Sequence, residues 1–226
     1  MTGEALDFAG GTVVHITSGI SALAILVFLG KRKGYGVDII KPHNVTLTLI
    51  GTGLLWFGWF GFNAGSALAA NEIAGLVAIT APCGSVENWA AIMIGLIAGA
   101  IVYAGVMFNE AVLKVNDPVG VIAVHGYCGT WGLLAVGIFS VGMGNGILDG
   151  AVYAAGAPGL LYGGVNQFIV QVVGALAAII WAFVAGLIVF KLIDIVIGLR
   201  VSEREELEGL DITEHGIRAY PEYITE

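Results

Sequence analysis

Two histidines, His15 and His125, are the first candidates for chemistry in this chain, because each lies inside a long stretch that is otherwise uncharged. Ionisable side chains are costly in an apolar environment and mark functional positions there by default. A neutral imidazole could simply hydrogen-bond to a neighbouring helix. It can also relay a proton, or exchange hydrogen bonds with a small neutral molecule that passes between two facing rings.

The two histidines end segments of similar sequence, DFAGGTVVH (residues 7–15) and DPVGVIAVH (residues 117–125). In each segment Asp begins the match, Gly is fourth and Val precedes His, while Gly19 and Gly129 extend it four residues further. The segments are 110 residues apart and are predicted to cross a membrane in opposite directions. This pattern is typical of an inverted repeat, which places paired functional residues near the midplane. The aspartates are expected to cap helix starts or to attract a cation.

The stretch GWFGFNAGS, residues 58–66, closes another apolar run and places three aromatic rings beside three glycines, an asparagine and a serine. An aromatic face attracts a small cation by about 0.5–2 kcal/mol, and glycines let neighbouring helices approach closely. An interfacial belt of Trp and Phe would explain the rings, but not the asparagine, the serine or the repeat.

Composition indicates a polytopic all-α membrane protein. Hydrophobic residues make up 58% of the 226 and charged residues 12%, against about 45–50% and 25% in soluble domains. A net charge of −8 argues against a nucleic-acid partner. Since a spanning helix needs about 20 apolar residues, residues 73–81 are too few to cross and are predicted to be a re-entrant piece, a buried stub or the remnant of a longer helix. The five predicted spans are residues 8–30, 45–70, 89–108, 119–140 and 165–197.

The basic residues set the predicted orientation. All nine fall in the loops after the first and third spans, at the end of the fifth span or beyond it. Because basic loops stay in the cytoplasm, we expect the N-terminus outside and the C-terminus inside. Residues 1–199 are then the transmembrane domain, and residues 200–226 are a cytoplasmic tail with a capping box at Ser202 and Glu205, ending at Gly209.

The sequence predicts no cofactor and no metal site. Its two cysteines form neither a disulfide framework nor a zinc pattern. A membrane cytochrome with His15 and His125 as haem ligands is an alternative, but there is no second histidine pair and no attachment motif.

Long motifs in order along the chain resemble the Amt/Mep/Rh ammonium transporter family, most closely its prokaryotic Amt branch. They are DFAGGTVVH, GKRKGYG, PHN, GWFGFNAGSALAANE, GLVAIT, DPVGVIAVHG and GLRVSEREELEGLDITEHG. The resemblance covers the C-terminal half of the family pattern, with an internal gap after SALAANE. The bundle is therefore expected to be incomplete, with about five spans plus a half-helix.

The resemblance implies transport of ammonium or ammonia across the inner membrane through a twin-histidine hydrophobic pore, without enzymatic activity. By position, His15 and His125 match the pore histidines, and Trp59 and Phe62 match pore-lining rings. Ser66 and Asp7 match residues that recruit ammonium.

The family also implies a homotrimer in the lipid bilayer and, in prokaryotes, a PII-type regulatory partner at the cytoplasmic face. A non-transporting sensor or regulatory subunit that acts through its tail is the alternative function.

Overall fold

The computed structural model describes residues 5–41, 43–68, 85–142 and 157–220, and over these ranges the regular structure is entirely helical. The predicted half-helix at residues 73–81 lies outside the described residues. Within the described ranges five helices are long and apolar enough to cross a membrane, in agreement with the five predicted full spans. They are α1 (Gly11–Leu29), α2 (Val45–Gly65), α3 (Asn88–Phe108, continued as a π-helix over Asn109–Leu113), α4 (Ile122–Phe139) and α5 (Asn166–Val196).

The helices differ from the predicted spans mainly at their ends. Helix α2 stops at Gly65, where the predicted span ran to residue 70, and α1 begins three residues later than predicted. The first turns of α1 and α4 are π-helical, over Gly11–Ile16 and Ile122–Tyr127. A window of hydropathy detects apolar length but not the hydrogen-bond pattern inside it, so these π-helical turns were not predicted.

Helix α5 is the longest and organises the core. Its 31 residues give a length of about 47 Å at 1.5 Å per residue, more than the roughly 30 Å of a hydrocarbon core. It packs against α1 and α4 around a core of small and branched apolar side chains. The core residues are Ile16, Ile20, Leu133, Ala175 and Ala182.

A buried glutamine on α5 ties the N-terminal segment to this core. Gln171 is fully buried, and its Oε1 accepts from Leu6 N at 2.9 Å. Its Nε2 donates to Leu6 O at 2.9 Å and to Leu133 O at 3.2 Å. Because a buried amide must find partners, this single side chain fixes the segment that leads into α1.

The basic residues of the described loops lie at one end of the bundle. Arg32 N donates to Asn116 Oδ1 at 3.1 Å, and Lys33 Nζ pairs with Glu203 at 2.6 Å. His43 lies against the ring of Tyr220. The loop after α1 therefore contacts both the loop after α3 and the tail, and all nine basic residues lie in these segments or near the end of α5.

The tail contains two short helices, α6 (Glu203–Glu208) and α7 (Leu210–Thr213). The predicted capping box is present, since Ser202 Oγ accepts from Glu205 N and the Glu205 carboxylate accepts from Ser202 N. Gly209 ends α6 with a φ of 101°, as predicted from its freedom to adopt positive φ.

Candidate functional site

The predicted repeat is visible as two similarly built helix starts. Asp7 Oδ2 accepts from the backbone N–H of Thr12 and Val13 at 3.0 and 3.2 Å. Asp117 Oδ2 accepts from Ile122 N at 2.8 Å. Both aspartates therefore cap the helix that carries the following histidine, which satisfies donors that would otherwise be left free.

A glycine with positive φ precedes each π-helical turn: φ is 87° at Gly10 and 70° at Gly120. These are the fourth-position glycines of the repeat, and the left-handed backbone there favours glycine. The paired sequences thus produce the same local geometry, in which an aspartate cap and a left-handed glycine lead into a π-helical turn that carries the histidine.

Helices α1 and α4 touch through bare backbone. A Cβ built on Gly19 would stand 2.1 Å from N of Gly126, and one on Gly129 would stand 3.0 Å from Cβ of His15. Along these contacts the residue number rises on α1 while it falls on α4, so the helices run antiparallel where they meet. This agrees with the opposite crossing directions predicted for the repeat.

The crossing brings the two histidines together. Nδ1 of His15 lies 3.0 Å from Nδ1 of His125, and their ring planes differ by 7°. In a neutral imidazole one ring nitrogen carries a hydrogen and the other accepts. A hydrogen bond between two Nδ1 atoms therefore requires opposite tautomers, so one ring presents a bare Nε2 and the other presents Nε2–H. The pair offers both an acceptor and a donor to a small molecule.

Helix α2 adds two aromatic rings to the pair. Trp59 lies nearly parallel to His15, with ring centroids 5.2 Å apart and planes differing by 4°. Phe62 lies 5.6 Å from His15 and 5.9 Å from Trp59, at tilted angles. Four of the six predicted site residues therefore form one continuous cluster, although they come from three helices.

The other two predicted residues lie beside this cluster. Asp7 lines the same cavity as His15 and Trp59, while its Oδ2 serves as the helix cap. Ser66 lies one turn beyond Phe62 on α2, and its hydroxyl donates to Phe62 O at 2.8 Å. That bond leaves the lone pairs of Ser66 Oγ free to accept. The roles of both residues in recruitment stay predictions.

A cavity of about 280 Å³ adjoins His15 between α1, α3 and α4. Most of its lining is apolar. Its polar lining includes residues that the sequence did not single out as site residues: Trp131, whose Nε1 donates to Ile94 O at 3.1 Å, and Cys128, whose thiol donates to Ala98 O at 3.4 Å. Only their short distance from His125 along the chain could have drawn attention to them.

Several buried polar atoms at the cluster have no hydrogen-bond partner in the described part of the chain. They include His15 Nε2, Thr12 Oγ1 and both amide atoms of Asn63. Asn63 is fully buried, although α2 is otherwise the most exposed of the spanning helices. It lies on the same face of α2 as Trp59, four residues earlier, because residues three and four apart are neighbours on a helix. Such orphan groups are costly, and of these three residues only His15 lines the cavity.

The described residues do not suggest a metal centre, since no group of three or more His, Cys, Asp or Glu side chains within them could hold an ion.

At the basic end, the tail is fastened to the loop after α1. Glu206 accepts from Lys33 N at 2.7 Å and from Arg200 Nη2 at 2.6 Å. Arg200 also donates through Nη1 to the carbonyls of Leu29 and Lys31. The Lys33 N–H, and then the Arg200 guanidinium, hold the pKa of the Glu206 carboxyl below its ordinary value. The tail thus closes over the end of α1.

Comparison with known proteins agrees with this geometry. The model of the Ammonium Transporter Family matches residues 1–74 and 71–220. Ammonium transporter Amt2 of Archaeoglobus fulgidus is 42% identical over 269 aligned residues, which cover 97% of this chain and 56% of that protein. The ammonium transporter of Bacillus subtilis is 36% identical over 96% of this chain and 61% of its own length.

Solved structures show the same fold. Saccharomyces cerevisiae Mep2 superposes with a TM-score of 0.79 at 28% identity, covering 99% of this chain and 60% of that one. A structure titled Sensor Amt Protein gives 0.77 at 31% identity, covering 93% and 60%. The chain thus spans about 60% of the length of these relatives.

The alignments also support the predicted internal gap. The two family-model matches meet at residues 71–74, and the archaeal alignment has more positions than this chain has residues.

Proposed function

This chain belongs to the Ammonium Transporter Family, and we propose that it conducts ammonium nitrogen across a membrane along a path lined by His15 and His125. One observation carries the proposal: the 3.0 Å contact between the two imidazoles, flanked by the rings of Trp59 and Phe62. This arrangement has a donor and an acceptor inside an apolar, aromatic wall, which suits a small molecule that is itself a donor and an acceptor.

The chemistry of the cluster suggests how the ion is handled. The faces of Trp59 and Phe62 attract a small cation by about 0.5–2 kcal/mol, and Ser66 Oγ has lone pairs free to accept from an ammonium N–H. Further in, a full charge is expensive in an apolar lining. Ammonium therefore passes one proton to the bare Nε2 of the histidine pair and crosses as neutral ammonia, and it takes a proton back from the pair on the far side.

The negative charge of Asp7 favours a cation at the entrance to the cavity. One carboxylate oxygen holds the start of α1, so the charge stays in place while the ion passes. In this role the carboxylate acts through its field and does not need to contact the ion.

The orientation follows from the basic end of the bundle. Loops with all the Lys and Arg residues remain on the cytoplasmic side, so the tail lies in the cytoplasm and Phe62 and Ser66 lie toward the outside of the inner membrane. The docked tail exposes its short helix α6 there, and three glutamates of α6, Glu203, Glu206 and Glu208, pair with Lys33, Arg200 and Arg204. A PII-type partner at this face and a homotrimer in the lipid bilayer complete the proposed assembly, which carries out no chemical conversion of its cargo.

Reconstituted liposomes test the proposal. The 226-residue chain is inserted into vesicles, and an ammonium gradient is applied while current and internal pH are recorded. The test variant is His15→Ala/His125→Ala. The matched control is His43→Ala/His215→Ala, which removes two imidazoles at the basic end of the chain instead of the pair.

We expect a signal from the wild type and from the control, and its loss in the test variant. A correctly inserted wild type with no signal above empty vesicles would refute transport by this chain and favour the sensor or regulatory subunit. Equal flux in the test variant and the wild type would refute the histidine path.

A further inference from the structure

The π-helical turn that carries His125 is tied to α3 by one short hydrogen bond. The hydroxyl of Tyr127, two residues after His125, donates to Asn109 Oδ1 at 2.6 Å. Asn109 is 1% exposed, and its backbone oxygen accepts from Val115 N at 3.0 Å. The acceptor is therefore held by its own backbone, and Tyr127 is bonded to a fixed point.

The ring of Tyr127 reaches Asn109 only because α3 has a glycine beneath it. A Cβ built on Gly105 would stand 2.6 Å from Cδ2 of Tyr127. The aromatic ring thus lies directly on the backbone of α3. This contact and the hydroxyl bond restrain the ring at both its side and its tip.

Tyr127 and His125 point in different directions, so the contact of Tyr127 with α3 bears on the position of His125. Residues two apart on a helix do not share a face, so Tyr127 points to α3 while His125 points to His15. The turn between them is π-helical, a geometry that is rare, confined to single turns and frequent at functional sites. Because α3 restrains one face of this turn, the turn can hold the His125 imidazole, on its other face, at a fixed distance from His15.

We propose that the Tyr127–Asn109 hydrogen bond is a positioning tether that holds His125 Nδ1 against His15 Nδ1. Neither tether residue touches the transported molecule, and both act through the histidine pair. The effect on transport rests on the proposed function, whereas the effect on the geometry of the pair does not.

Nitrogen NMR of the histidine rings tests the tether without requiring transport. The protein carries ¹⁵N-histidine in a His43→Gln/His215→Gln background, so that both remaining histidines belong to the pair. A bonded pair of opposite tautomers gives one protonated and one bare Nδ1 signal with a slowly exchanging N–H. We expect Tyr127→Phe, which keeps the ring but removes the hydroxyl, to abolish this slowly exchanging signal.

Two further variants make the result specific. Asn109→Leu removes the acceptor at similar volume and is expected to reproduce the loss, and the double variant is expected to add nothing to either single change. Tyr103→Phe is the matched control, because Tyr103 also lies on α3 but is 73% exposed. It is expected to retain the wild-type spectrum.

Ammonium flux is measured on the same preparations. Where the wild type transports, Tyr127→Phe is expected to lower flux about tenfold, the equivalent of about one buried hydrogen bond. A wild type without flux would refute the proposed function and leave the NMR result to decide the tether. A wild-type spectrum without the paired signals, or a Tyr127→Phe spectrum that retains them, would overturn the tether.

Discussion

Replacing Gly19 by alanine is expected to separate the two histidines. An added Cβ would stand 2.1 Å from N of Gly126 and 2.5 Å from its Cα, whereas carbon atoms in contact lie about 3.5–4.0 Å apart. The obstructing atoms are backbone, so no side-chain rotation relieves the overlap. Helices α1 and α4 must therefore separate by about 1 Å or more, and overpacking of this kind costs about 1–3 kcal/mol.

The same displacement sets the functional result. The Nδ1 atoms of His15 and His125 are 3.0 Å apart, and a further separation of about 1 Å would place them beyond hydrogen-bond distance. We expect Gly19→Ala to lower the midpoint of thermal unfolding in detergent, to remove the slowly exchanging imidazole N–H and to abolish ammonium flux.

Gly53→Ala is the matched control, because a Cβ on Gly53 would meet nothing within 4 Å. Alanine in a helix interior is favoured over glycine by about 0.5–1 kcal/mol, so this control is expected to be neutral or slightly stabilising. If Gly19→Ala kept the wild-type midpoint together with the wild-type imidazole signal, the inferred close contact between α1 and α4 would be wrong.

Three further changes test other parts of the structure. Gln171→Leu leaves the backbone groups that it binds without partners and is expected to destabilise the protein by about 1–3 kcal/mol, measured by thermal unfolding, with faster proteolysis before α1. Asn63→Leu removes a buried amide whose atoms lack partners in the described residues. It is expected to stabilise the protein by about 1 kcal/mol while lowering flux. Glu206 has a pKa below its ordinary value because of Lys33 N–H and Arg200. Its contribution to tail docking is therefore present above the ordinary carboxyl pKa and is lost as pH falls through the lowered one. Cross-linking of the tail to the loop after α1 measures this, and Glu206→Gln is expected to weaken docking at neutral pH.

For each of these three changes, one experimental outcome would refute the prediction. An unchanged cleavage rate in Gln171→Leu would show that the N-terminal segment is held by other contacts. A destabilised Asn63→Leu would mean that the amide has partners after all. For Glu206, docking that persists unchanged through the acidic range would exclude the carboxylate as the link, and Glu214→Gln serves as the control on the same tail.

The family membership and the five full spans were predicted from the sequence and are confirmed by the comparisons and the helices. The prediction succeeds because a helix in lipid satisfies its own backbone hydrogen bonds, so a sufficiently long apolar run is a local signal. The capping box at Ser202 is equally local, since its partners lie three residues apart. The pairing of His15 with His125 is a long-range contact, but it could be predicted from the repeat. Two copies of one local structure that cross in opposite directions place equivalent residues near each other.

The contacts between helices were decided only by the tertiary structure. The sequence contains Gly19 and Gly126, Tyr127 and Asn109, and Glu206 and Lys33, but nothing in it pairs them. Each pair joins segments that approach one another only when several helices pack together. An apolar side chain can face lipid or a neighbouring helix, so the sequence does not show which of the two it contacts. Hydropathy therefore determines which segments cross the membrane, whereas the ends of the helices, such as the end of α2 at Gly65, came from the structure. The distance between two imidazoles depends on the close approach of the backbone at Gly19 and Gly126, which leaves no room for a Cβ and arises only when the helices are packed together.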